Sequence, residues 1–522
     1  MHTALVITDA GFMLRRVAVV MALLIAACSP GSTAASSSVG CVAPPVFTDE
    51  MAEFVVEPLG EPVWAMESTE ATFSSPRLAD LTGDGVLDVV QGFGQDTFGD
   101  RQSSVIATNG STGAELWKST GHEDLVGSAT FVQLGGDDTL DVVIGGRRGA
   151  LIAIDGTTGS LLWSFDDQGG RWFNFYTSQV VDDQNADSVV DLIAVNGGLV
   201  FDQPEEGSGI RDADDRHLGT VFVVSGADGS VIAKSPVPDR GESYMSPVLL
   251  PDSGSGPEVL VGTGGETLPG ALWRLPLSAL IDGELGVTEA VVSGGLKGMI
   301  ASPSLADLTG DCVVDIVTQA FNGTLTAVDG ASSASLWTLE NVGFETYSTP
   351  TLGYFVGDDA VPDVFASVAR GVWPEYESSD YLLIDGATGQ VVWRETLGSF
   401  APSGFVAGDL NGDGRDEVIF GVNDVAANTH QLYVLDTTKR VLHELGGPLD
   451  QTTFSSPWLG DIDADGELDL ITTASAYQSS GPAKVERFNL VGTQAPANIS
   501  WGGYLGTAGT GTLRESGVTS EN

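Results

Sequence analysis

Short apolar runs recur along the chain, each bounded by Gly, Asp or Asn. They include Val89-Val90, Val142-Val143-Ile144, Leu192-Ile193, Val259-Leu260-Val261, Ile316-Val317, Val364-Phe365, Val418-Ile419 and Leu470-Ile471. Runs this short, rich in β-branched residues and flanked by turn formers, predict buried strands. Each follows an acidic residue, at 88, 141, 191, 258, 315, 363, 417 and 469, with a period near fifty. Upstream of the acidic loop stands a phrase of an aromatic or apolar residue, small polar residues and often Pro. Examples are Phe73-Ser-Ser-Pro76, Tyr244-Met-Ser-Pro247, Tyr347-Ser-Thr-Pro350 and Phe454-Ser-Ser-Pro457. Downstream comes a second hairpin, as in Ile152–Trp163 and Leu382–Trp393, whose Asp-Gly or Asn-Gly supplies the turn. Trp117, Trp163, Trp337 and Trp393 occupy one position of this repeat.

Each unit thus predicts four short strands, A to D. Such a unit cannot bury both faces alone, whereas units arranged around an axis can. The expected fold class is all-β: a single β-propeller of four-stranded blades, eight by count, with seven as the alternative. Two separate β-domains are the rival, and no linker interrupts the repeats to support them. Pro62-Val63-Trp64 reads as a stray strand D, and the last unit lacks one. Trp64 is therefore expected to complete the blade formed by Ser456–Leu490 and to close the ring.

Five of the acidic loops approximate the pattern D-x-[DNT]-x-D-G-x-x-[DE]. Oxygens at positions 1, 3, 5 and 9 suit a hard cation, which takes six to eight oxygen ligands on a short loop. The bidentate Glu that an EF-hand carries at position 12 is missing, so EF-hand helices are excluded. The plain alternative is turn chemistry, since Asp and Gly favour turns.

Order, spacing and strand context together resemble FG-GAP (VCBS-type) repeats, known from the integrin α-chain propeller and bacterial surface proteins. The resemblance spans roughly Pro62 to Leu490. It implies Ca²⁺ at about five sites in the A–B loops. Its ligands would be Asp80, Thr82, Asp84 and Asp88; Asp183, Asn185, Asp187 and Asp191; and Asp307, Thr309, Asp311 and Asp315. The last two sets are Asp409, Asn411, Asp413 and Glu417, then Asp461, Asp463, Asp465 and Asp469. Thr82 and Thr309 are weaker ligands than Asp or Asn, and Cys312 replaces the loop glycine. The loops ending at Asp141, Glu258 and Asp363 lack position 1 or more, and no metal is expected there. The D-G-x-T-G-x-x-x-W phrase is similar to quinoprotein-like propeller repeats, which implies a docking role for the Trp between blades and gives no basis for quinone binding.

The first residues read as an address. Arg15 and Arg16 precede the eleven-residue apolar run Val17–Ala27, which is short for a membrane span and fits a secretory signal. Ile25-Ala26-Ala27-Cys28 resembles a lipobox, so Cys28 is the expected lipidation site and the lipid the only membrane contact. An ordinary signal with a chance cysteine is the alternative. The expected division is a signal at 1–27, a small-residue tether at 28–50, the propeller at 51–505 and a tail at 506–522. Cys41 and Cys312 remain, and two cysteines make no disulfide framework.

Charge narrows the partners. Lys+Arg 22 against Asp+Glu 71 gives a net charge of −49, so a phosphate-neutralising surface for nucleic acid is excluded. Hydrophobic residues at 42% are ample for a large core and argue against disorder.

Unit length varies mainly in the B–C connections, which share a face with the D–A connections. Variable loops on one face of a rigid ring are the usual binding place. Candidates there are Trp172, Phe173, Phe175 and Tyr176, with Arg211, Arg216 and His217 in the longest loop and Trp373 and Tyr376 in another unit. Exposed aromatics can stack on sugars or anchor a protein; the alternative is that they pack between blades. Catalytic motifs for zinc proteases, serine hydrolases and phosphate loops are missing, and no catalytic residue is assigned. The first reading is a non-enzymatic, calcium-stabilised surface propeller binding a protein or a glycan. The others are a lyase-like polysaccharide-active enzyme, for which Arg216 or His217 would be tested, and a scaffold for envelope assembly.

Overall fold

Alternation of β-branched pairs with Asp-Gly turns folds the chain into eight antiparallel sheets in the computed structural model. The structure describes residues 45–47, 57–94, 103–165, 174–199, 216–252, 254–283, 285, 288, 290–373, 375–400, 404–475, 482–493 and 498–513. Blade 1 comprises strands A to D at Arg77–Ala79, Asp88–Gly92, Ser103–Thr108 and Glu115–His122. The remaining blades repeat it, with inner strands beginning at Thr130, Gln179, Val248, Ser304, Thr351, Val406 and Trp458. The eighth blade is completed by the first strand of the chain. Trp64–Ser68 pairs antiparallel with Ala483–Leu490, Trp64 opposite Arg487, so the ring closes as the stray Pro-Val-Trp predicts.

Three sets of contacts join neighbouring blades. The outer set uses the Trp of strand D. The indole N–H groups of Trp64, Trp117, Trp163 and Trp337 each donate at 2.7 Å to a glycine carbonyl of the next blade, at Gly110, Gly156, Gly226 and Gly386. Trp393 differs: it is half-buried and stacks on Phe365 of its own blade. The docked rings need a flat floor. A Cβ at Gly159 would come 2.8 Å from the Trp117 ring, and one at Gly156 would come 1.9 Å from the Leu140 carbonyl oxygen. Gly156→Ala is therefore expected to cost about 1–3 kcal/mol by overpacking, read as a lower urea midpoint at unchanged slope.

The middle set is the apolar filling between sheets, for example Val90, Val105, Val142 and Ile152 between blades 1 and 2. The inner set explains the Ser/Thr-Pro phrase, whose hydroxyls and backbone staple each blade to the next around the axis. Ser75 N–H donates to Ser128 Oγ, Ser128 N–H to Thr177 Oγ1 and Thr177 N–H to Ser246 Oγ. Ser302 then donates to the Ser246 carbonyl, Ser304 to that of Pro350 and Thr351 to that of Phe405. Gly404 N–H to Ser456 Oγ and Ser456 N–H to Ser75 Oγ complete the circle.

Three features depart from the sequence-based expectation. Residues 498–513, half of them assigned to a tail, run inside the ring. Trp501 pairs with Ala407 of blade 7, and Gly511 and Leu513 bond the backbone of Leu305 in blade 5. The Gly502 carbonyl accepts from Leu459 N–H of blade 8, and the Gly509 carbonyl from Gln179 of blade 3. A glycine-rich sequence with aromatics at 501 and 504 suits this role, because the inner strands leave little room. Cys312 is disulfide-bonded, with its partner outside the described residues, although the cysteine count suggested no framework. Pro45–Phe47 belongs to the expected tether, yet Phe47 lies under the Arg415 guanidinium at 5.1 Å in blade 7. Cys28, by contrast, lies outside the described residues.

Candidate functional site

Position 1 of each of the five loops shapes the A–B turn. Asp80 accepts N–H bonds from Gly83, Asp84 and Gly85, and Asp183 from Asn185, Ala186, Asp187 and Ser188. Asp307, Asp409 and Asp461 do the same in their loops. Asp84, Asp187, Asp311, Asp413 and Asp465 each accept the N–H two residues on. Cys312 and Ser188 take positive φ angles at the pattern's Gly position, and Ala186 and Ala464 do so at position 4 of their loops.

The residue at position 9 acts as a clamp between two turns of one blade. One Asp88 oxygen accepts from Leu81 N–H in the A–B loop, the other from Gly110 N–H in the C–D turn. Asp191 and Asp315 make the same pair of contacts, as do Asp141 and Asp363 in repeats where no metal is expected. Glu417 instead bonds Leu410 N–H and the Asn411 amide. Asn185 reaches Asp187 and Ser225, the Thr309 hydroxyl reaches Asp307 while its N–H donates to Asp315, and Thr82 lies beside Asp88. Burial raises the pKa of Asp88, Asp191, Asp315 and Asp469, whereas the Ser188 N–H and its neighbours hold exposed Asp183 low.

Among the described residues, one trio brings three acidic ligand atoms within 4.8 Å of one another: Asp461, Asp463 and Asp469. Arg487, 1% exposed, donates to Asp463 Oδ2 at 2.6 Å and to Asp469 Oδ1 at 2.8 Å. Its third contact is the Gly110 carbonyl of blade 1. Asp463 Oδ1 is buried with no hydrogen-bond partner. That orphaned acceptor, beside two further carboxylates, fits a hard cation held next to the guanidinium. The other four loops do not gather three acidic groups this closely.

Burial pushes the Asp363 carboxyl up to about 7, outweighing three backbone N–H donors. An unfolded chain releases that proton near pH 4. The stability this group contributes is complete below that pH and is lost as pH rises to about 7. Asp363→Asn is expected to remove this slope, so wild type should lose stability relative to the variant between those limits in urea titrations.

The opposite face carries the D–A and B–C connections. The half-buried rings of the Ser/Thr-Pro phrases meet there. Phe73 and Phe454 lie 5.5 Å apart, Phe454 and Phe400 6.2 Å, and Phe400 and Tyr347 5.8 Å. Trp373 and Tyr376 join this path: Tyr376 stacks on Phe400 at 4.8 Å, and Trp373 is 5.9 Å from Tyr347 and 36% exposed. Glu345 holds them in place, accepting from the Tyr376 hydroxyl and Trp373 N–H while pairing with Lys297. Phe175 is a correction. It is fully buried, packed edge-on against Phe165 and Phe222, so it cannot meet a ligand. Tyr176 is half-buried beside it. Arg216 and His217 lie on a strand opposite Leu199 and Gly198; Trp172, Phe173 and Arg211 lie outside the described residues. Sequence reasoning missed Arg487, Lys297 and Glu345, because each occurs once and no repeat announces it. The aromatic first residue of each phrase was the available signal for the rim.

The family model described as outer membrane protein assembly factor BamB matches residues 54–246. The quinohemoprotein alcohol dehydrogenase ADHIIG from Pseudomonas putida HK5 is similar in structure, with TM-score 0.54 and 13% identity over 87% of this chain and 79% of that one. The quinohemoprotein alcohol dehydrogenase from Comamonas testosteroni gives TM-score 0.51 and 13% identity over 84% and 77%. Saccharomyces cerevisiae Sqt1 gives 0.51 and 14% over 83% and 99%. No curated protein matches the sequence. The chain is a β-propeller with quinoprotein-like repeats. At these identities the likeness to solved structures speaks for the fold alone.

Proposed function

We propose that this chain is an exported, non-catalytic propeller that binds a protein partner at the cell envelope and holds calcium in its A–B loops. The observation that carries the reading is the aromatic path from Phe73 through Phe454, Phe400 and Tyr347 to Trp373 and Tyr376. It crosses several blades on one face, while the chain's own residues 498–513 occupy part of the axis. Broad, rigid aromatic surface with polar neighbours suits a protein anchor. The assembly-factor description of the matching family model agrees with that choice over a glycan or a polysaccharide substrate. A disulfide at Cys312 suits an oxidising compartment, as does the secretory signal with Cys28 as the lipid site.

A photo-crosslinking residue in place of Trp373 tests the partner. The expected result is a discrete protein adduct in envelope extracts, lost when Tyr376→Ala is added. Absence of a protein adduct, with saturable binding on a glycan array, would replace this reading with the carbohydrate one. Calcium is tested separately. Ca²⁺ at a hundredfold excess over its dissociation constant is expected to add about 2.7 kcal/mol per site relative to EGTA, read as an upward shift of the thermal midpoint. Equal midpoints, with no metal by elemental analysis, would reduce the loops to turns.

A further inference from the structure

The inner strand of every blade places one residue at the same register, paired two positions beyond the acidic residue that ends the A–B loop. In blades 3 to 7 these are Gln179, Val248, Ser304, Thr351 and Val406, all buried where the C-terminal segment covers them. In blades 8, 1 and 2 they are Trp458, Arg77 and Thr130, and all three stay half-buried. The segment touches blades 8 and 1 as well, at Leu459 and Arg77, yet leaves this register partly accessible there and in blade 2. Ala508 and Thr510 are exposed although they flank Gly509, whose carbonyl bonds Gln179 inside the ring.

Arg77 faces this accessible side with most of its donors to spare. Its guanidinium donates to the carbonyls of Tyr504 at 2.8 Å and Ala508 at 3.3 Å. A guanidinium has five N–H groups, and among the described residues no carboxylate meets this one. In a chain with 71 acidic residues, a half-buried cation that meets no carboxylate among the described residues is unusual. Protein surrounds it closely enough for desolvation to lower its pKa to about 10. Burying a charge is costly unless a partner compensates it.

We propose that the open side of the channel is an anion site anchored by Arg77, and that it takes a single carboxylate. The guanidinium fork matches carboxylate geometry. One cation balances a monoanion, whereas a dianionic phosphate would bring surplus negative charge into a protein of net charge −49. Half-buried Trp458 stands at the same register of the adjacent blade, and the part of its ring left exposed would receive the body of an organic acid. The carboxylate is either that of a free organic acid or the end of a peptide. The site depends on the channel alone and stands whatever the aromatic face binds.

Sodium benzoate is the probe, titrated calorimetrically into the purified protein at fixed ionic strength. One saturable site is expected, weakened at least tenfold by Arg77→Gln and less by Arg77→Lys, with no site for benzylammonium. A short peptide tested with a free and with an amidated C-terminus distinguishes the two carboxylate sources. Unaltered binding in a folded Arg77→Gln variant, or no saturable heat from wild type, overturns the proposal. Because Arg77→Gln also removes two bonds to the C-terminal segment, bromide soaks of wild-type crystals give a second reading. An anomalous peak within hydrogen-bond distance of Arg77 supports the site, and ordered bromide elsewhere with none at Arg77 overturns it.

Discussion

Trp501→Ala is expected to destabilise the protein by about 3–5 kcal/mol, the range for removing a buried Trp. Its side chain is 1% exposed and belongs to the large cluster that joins blades 5, 6 and 7. Its backbone exchanges two hydrogen bonds with Ala407. The alanine variant keeps the backbone pair and loses the filling, so a cavity remains where blades converge. Truncation before residue 498 should cost more, because the Arg77, Leu305 and Leu459 contacts go with it. Urea unfolding of the variant checks the first value. A change under 1 kcal/mol would mean that the segment merely lies in the channel.

Arg487→Met should be comparably damaging, at about 3–5 kcal/mol, because removing one partner strands the other buried charges. Asp469 is buried and Asp463 is partly so, and burial already raises the Asp469 pKa with Arg487 present. The lost Gly110 contact weakens the same seam that Trp64 docks. Adding Asp469→Asn to Arg487→Met is expected to recover part of the loss, and a double-mutant cycle measures the coupling. The deficit should shrink as pH falls, since protonation relieves the stranded carboxylates. Equal deficits at low and neutral pH would exclude an electrostatic cause. If the loop takes a cation, added Ca²⁺ should restore more stability to Arg487→Met than to wild type.

The eight blades, their four strands and the closing role of Trp64 were legible because each is written many times or completes a written pattern. The docking Trp was legible as a position, although Trp393 shows that the position alone does not fix the contact. The Asp loops were legible as turns of defined shape. Their final acidic residue, expected as a ligand, is also committed to Leu81 and Gly110 N–H groups or their counterparts, which sequence spacing cannot reveal. Contacts along the axis were the hidden part. Residues 498–513 belong to no repeat, and their partners come from blades far apart in the chain. Arg77 sits where other units have Thr, Gln, Val, Ser or Trp, so nothing local marks it.

Ring closure sets a schedule for biogenesis. Thr72 N–H bonds Ser475 across a separation of 403 residues, and Ser455 bonds Ser74 across 381. At roughly 5–20 residues per second of synthesis, the first strand waits on the order of twenty seconds to more than a minute for its partner. During that interval Trp64–Ser68 has no sheet edge to join, and blade 1 lacks its neighbour. Nascent chains must therefore remain open to binding by holding factors until the last blade emerges, and premature pairing between copies is the hazard of that interval.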